Sequence, residues 1–103
     1  MTPPYYAVIF TSTLIPGDTG YADFAHEVLA LARQQPGFLG FDSARQEVGV
    51  SVSYWASLEA IEGWKNHPFH RQAQARAGDW YASFQVRVCK VERDFGFTQP
   101  AQD

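Results

Sequence analysis

Ser51-Val52-Ser53-Tyr54-Trp55-Ala56-Ser57-Leu58-Glu59-Ala60-Ile61-Glu62-Gly63-Trp64 is the stretch whose reading decides the fold. Up to Trp55, valine and aromatic residues alternate with serine, the two-residue period of a strand. From Leu58 the apolar residues Leu58, Ile61 and Trp64 recur every three positions, the period of a helix, and Ser57 is placed to cap it. A strand gives way to a helix within two residues. The following Lys65-Asn66-His67-Pro68-Phe69-His70 adds an Asn and two His to the same junction.

Upstream, Val48, Val50, Val52 and Tyr54 share one face of that strand, and Gly49, Ser51, Ser53 and Trp55 the other. A turn around Glu47 to Gly49 links it to an earlier strand, 38–46. Before that, Tyr21, Phe24, Ala25, Val28, Leu29 and Ala32 repeat at three and four residues. This predicts an amphipathic helix capped by Asp18 or Thr19 and ended by Gln35-Pro36-Gly37. Tyr5 to Thr13, dense in Tyr, Val, Ile, Phe and Thr, predicts the first strand. Downstream, Pro68 fits the first turn of a helical segment capped by Asn66 or His67, with Phe69, Ala73, Ala77 and Trp80 on one stripe. Ser83 to Arg93 predicts the last strand, with Phe84, Val86 and Val88 opposite Gln85, Arg87, Cys89 and Val91.

The order strand, helix, strand, strand, helix, strand is that of an α+β, ferredoxin-like βαββαβ fold: an antiparallel four-stranded sheet with two helices on one face. The other face is left uncovered, so two copies packing sheet to sheet as a homodimer are expected. Trp55 reads as part of that interface. At 103 residues the chain is one domain, expected over 1–97, with a loosely held tail over 98–103.

Composition narrows the function classes. The net charge is −3 and the eight Lys and Arg do not cluster, which leaves nucleic-acid binding without electrostatic support. Apolar residues make up 46% of the chain but are too interrupted to span a membrane. Aromatics at 16% suggest a second buried surface, a ligand pocket or a subunit interface. Cys89 is the only cysteine, so no disulfide forms within one chain, and the start of the chain lacks a signal-peptide pattern. Both fit a cytoplasmic setting. His67 and His70 have no third His nearby, so no metal site is expected.

With these elements in place, the chain resembles the antibiotic biosynthesis monooxygenase family of the dimeric α+β barrels. The resemblance runs from Tyr5 to Phe97. It is carried by Tyr5-Tyr6-Ala7-Val8-Ile9-Phe10-Thr11-Ser12, the Gln35-Pro36-Gly37-Phe38-Leu39-Gly40 turn, Ser53-Tyr54-Trp55, Ala60-Ile61 with Trp64-Lys65, and Val86-Arg87-Val88 through Val91-Glu92-Arg93. It implies a dimer closing into an α+β barrel. It also implies oxidation of small aromatic or quinol-like compounds by dioxygen, with no cofactor, or a module of the same fold that binds a hydrophobic ligand or haem without turnover. The haem-degrading members pair an Asn on the first strand with a helical Trp and a later His. Trp64 fits the Trp. The only Asn is Asn66, the stretch 72–74 holds no His, and His70 lies about a turn early. Haem degradation is therefore disfavoured.

A cofactor-free oxygenase needs a base, an oxyanion donor and apolar walls. Under the resemblance, His70 or His67 is the candidate base, Arg87 or Tyr54 the candidate donor, and Trp64, Phe69 and Trp80 candidate walls beside Tyr54. Each has a plainer reading as well. Trp64 sits at core spacing, His67 precedes a proline and can cap a helix, and Arg87 suits an interface or an ion pair.

Overall fold

The computed structural model describes residues 1–17 and 19–101. Four strands, β1 (Tyr5–Leu14), β2 (Phe38–Arg45), β3 (Gly49–Trp55) and β4 (Tyr81–Val91), form one antiparallel sheet in the order β2-β3-β1-β4. Helix α1 (Tyr21–Ala32) joins β1 to β2. Helices α2 (Leu58–Lys65) and α3 (Pro68–Ala75), followed by a 3-10 turn (Ala77–Asp79), join β3 to β4. This is the α+β, ferredoxin-like arrangement expected. None of the helices is long and apolar enough to cross a membrane among the described residues.

Local chemistry accounts for the boundaries. The Ser57 side chain accepts the Ala60 N–H at 3.0 Å and starts α2 as expected. His67, with Pro68 behind it, starts α3. Two expectations change. Gly20, with φ of 76°, occupies the cap position of α1 in place of Thr19; Asp18 lies outside the described residues. The second helical segment stops at Ala75, and a tighter turn then carries Ala77 toward Trp80, so the predicted stripe from Phe69 to Trp80 is not one continuous helix face.

Strand pairing fixes which side chains meet the helices. Val8 packs against the core of Ala32, Trp55 and Trp64, together with Val28, Leu31, Phe38, Ala60 and Ile61. The same face of the sheet therefore carries Tyr6, Val8, Phe10 and Ser12 of β1, Ser51, Ser53 and Trp55 of β3, and Phe84, Val86 and Val88 of β4. The expected interface role of Trp55 is thus corrected. The indole is 1% exposed, edge-on to Phe38, and its N–H donates to Ser53 Oγ at 2.9 Å. Along α2 the inward residues are Ala60, Ile61 and Trp64, while Leu58 is exposed.

Gly37 sets how closely α2 lies on the sheet. Its φ is +82°, and a Cβ there would sit 2.5 Å from Ala60 Cβ. Its carbonyl accepts the Ala56 N–H at 2.8 Å, which ties the β2 entry to the start of the α2 segment.

Candidate functional site

Trp64 is the hub of the α2–α3 junction. The His70 ring stacks on it at 4.5 Å and 10°, and the His67 ring lies 5.4 Å away. The two imidazoles are held differently. His67 Nδ1 accepts the Phe69 backbone N–H at 3.2 Å, so in the neutral ring the proton is on Nε2. His70 Nδ1 lies 3.2 Å from the Trp64 carbonyl, which can only accept, so Nδ1 carries the proton and Nε2 the lone pair. Burial lowers the proton affinity of His70, against a smaller opposing effect of that carbonyl, and the nearby His67 lowers it further. The junction thus holds a neutral imidazole with a basic nitrogen beside a second imidazole with an N–H donor.

On α3, Phe69 belongs to a second aromatic group. Phe69 stacks on Phe24 of α1 at 5.5 Å, and Phe24 stacks on Trp80 at 4.3 Å. Arg76 lies over the Trp80 ring and pairs with Asp79. Val86 and Val88 remain about half exposed on the same side of the sheet. The structure therefore brings Trp64, His67, His70, Phe69 and Trp80 to the helix side.

It places Arg87 and Tyr54 elsewhere. Arg87 pairs with Ile9 and Tyr54 with Ala7, the parity that faces away from the helices. The Tyr54 hydroxyl donates to Asp42 at 2.9 Å, which raises its pKa, and its ring meets Tyr5 edge-on. The Tyr5 hydroxyl donates to Asp94 at 2.6 Å; that bond, above all, pushes its pKa up to about 12. Neither Arg87 nor Tyr54 shares a face with His70 of the same chain.

A family model for antibiotic biosynthesis monooxygenase matches residues 6–76. The chain belongs to the antibiotic biosynthesis monooxygenase family. The protein is 45% identical to YqjZ of Bacillus subtilis over 98% of this chain and 91% of that one. Among solved structures it resembles SnoaB, a cofactor-independent oxygenase from Streptomyces nogalater, with a TM-score of 0.77 at 11% identity over 89% of this chain and 97% of that one. It also resembles the NE2512 protein of Nitrosomonas europaea, with a TM-score of 0.72 at 16% identity over 96% and 97%. At those identities the two structures share its fold.

Sequence reasoning missed a second group on the helix side. Arg45 reaches across the sheet to Ser12, beneath Tyr21, and Phe10 and Phe84 stack beside it. Strand register brings these residues together from four elements, and no local spacing signals it.

Proposed function

We propose that the protein is an oxygenase that works without an added cofactor on a small aromatic or quinol-like compound, as a homodimer. The observation that carries the reading is the His70 imidazole. It is desolvated against Trp64, neutral, and has its Nδ1 engaged by a carbonyl, which leaves Nε2 as the base. A substrate ring on the wall of Trp64, Phe69 and Trp80 loses a proton from an activated CH2 to Nε2. The carbanion passes an electron to dioxygen, the radical pair combines, and the peroxide takes the proton back. Loss of water leaves a carbonyl, so CH2 and O2 give C=O and H2O. His67 Nε2–H is the donor nearest His70 for the developing oxyanion.

Dimerisation has its own support. Val50, Val52 and Tyr54 lie on the face without helices, and Phe95 and Phe97 beyond β4 are 98% and 82% exposed. Val50 on that face and the two phenylalanines left in water are surfaces a second copy would cover.

The test is oxygen uptake by chelator-treated protein given anthrones and hydroquinones. Uptake above boiled protein, reduced on the order of 10²–10⁴-fold in His70→Ala, is expected for a lost general base. Full uptake by His70→Ala would remove the base assignment. A second reading, ligand binding without turnover, is favoured by the placement of Arg87 and Tyr54 on the far face, which leaves the His70 side without a charged donor from that pair. Binding of the same compounds with no uptake would select it.

A further inference from the structure

Arg45, Gly49, Ser12 and Phe84 form one row across the helix side of the sheet, one residue from each of β2, β3, β1 and β4. Gly49 is buried, and a Cβ there would overlap the Arg45 guanidinium, so the missing side chain is what lets Arg45 lie flat across β3. At the far side Nη1 donates to the Ser12 carbonyl at 3.3 Å and Nη2 donates to Ser12 Oγ. The Tyr21 ring faces the guanidinium at 5.4 Å. Ser12 itself is 3% exposed.

This guanidinium is fixed but not neutralised. Among the described residues the ion pair joins Arg76 to Asp79, and no carboxylate meets Arg45. Of its five N–H donors, the bonds to Ser12 use two, and its outer side is open to solvent. An arginine held this way has already lost most of the side-chain freedom that an anion would otherwise have to immobilise.

The next position in the row is an aromatic shelf. Phe84 is 52% exposed and lies parallel to Phe10 at 5.6 Å, with Tyr81 edge-on to Phe10 at 5.3 Å. Neighbouring strands are about 4.8 Å apart, so the guanidinium, lying over Gly49 with its Nη groups at Ser12, is about one to two strand spacings from the ring at Phe84. A carboxylate on a small aromatic ring system spans that distance. We propose that the Arg45–Gly49–Ser12–Phe84 row is a binding site for small aromatic carboxylates, with the acid on Arg45 and the ring on Phe84 and Phe10.

Calorimetric titration of the full chain with 2-naphthoate and with 2-naphthamide tests this, since the two differ in charge and not in ring. The acid should bind at least about tenfold more tightly, as charge-assisted bonds to a guanidinium require. Gly49→Ala keeps the charge, and the atoms it displaces are the far end of a flexible side chain, so the fold should survive while the preference falls toward unity. Arg45→Gln should abolish the preference. If Arg45→Gln does not fold, the Arg45 Nε–Hε signal of the unaltered protein serves instead: it should shift to saturation with the acid and not with the amide. Equal affinity for acid and amide, or a preference that survives both substitutions, would overturn the site. The readout is binding and not oxygen consumption, so failure here leaves the oxygenase reading untouched, and the converse holds too.

Discussion

Gly37→Ala is the substitution through which the fold and the proposed site can be tested together. The residue has a φ of +82°, and a non-glycine residue in that region costs about 1–2 kcal/mol. The new methyl would lie 2.5 Å from Ala60 Cβ. Carbon atoms rest at roughly 3.5–4.0 Å, so α2 must lift by about 1 Å or more. Overpacking of this kind costs about 1–3 kcal/mol. The stiffer unfolded chain returns about 0.4–1 kcal/mol. The net expectation is a loss of about 3 kcal/mol, measured as the urea midpoint at constant slope. Ala60→Gly alone should cost about 1 kcal/mol as a helix-interior glycine. Combined with Gly37→Ala it removes the clash and leaves only the backbone cost, so the double mutant should be more stable than the sum of the singles by about 1–3 kcal/mol. Because α2 carries Trp64, the lifted helix should also disturb the Trp64–His70 stack, and Ala60→Gly should restore oxygen uptake in the double mutant. A Gly37→Ala loss below about 0.5 kcal/mol, or strict additivity with Ala60→Gly, would refute the close-approach reasoning.

Three further outcomes are expected. Burial lowers the proton affinity of His70 below the 6.5 of the free imidazole, so the folded state binds that proton less readily than the unfolded chain. Stability should be full above pH 6.5 and decline as the pH falls from 6.5 toward the folded value; acid titration of His70→Gln should lose that decline. Ser57→Ala removes the acceptor of the Ala60 N–H and should cost about 1 kcal/mol in thermal or urea melts, with Ser57→Asp close to the parent. Trp55→Ala should destabilise the protomer by about 3–5 kcal/mol, seen as loss of cooperative unfolding signal, with no selective effect on subunit association by light scattering.

The parts of this protein written in local spacing are legible in its sequence. Alternation through Val52 and Tyr54, the 3.6-residue repeat through Val28 and Ala32, and the caps at Ser57 and His67 each depend on residues within one turn or strand. The element order then restricts the topology to very few choices. What could not be read depends on register. Trp55 and Val52 differ by an odd step, so they face opposite ways, but which way is inward follows from Val8 on β1, more than forty residues earlier. The cap of α1 is not legible locally, because Gly20 caps with no side-chain hydrogen bond and an αL backbone in place of the side chain expected at Thr19. The row from Arg45 to Phe84 needs three strand pairings to be correct at once.

Register also constrains how the proposed chemistry can be shared. Ile9 lies between Val8 and Phe10, so its partner Arg87 points away from the helices while Val86 and Val88 point toward them. A shift of one residue in β4 would exchange the two sets, placing a cation on the helix side of the sheet and three apolar residues on the other face. The observed register instead puts the His70 imidazole and the aromatic groups on one side of the sheet and Arg87 with the Tyr54–Asp42 and Tyr5–Asp94 pairs on the other. Within one chain the sheet itself separates Arg87 from a substrate held at His70. A loss of turnover in an Arg87 variant would therefore have to come through the uncovered face, as changed association of two copies, and would appear in the oligomeric state before it appeared in the chemistry at His70.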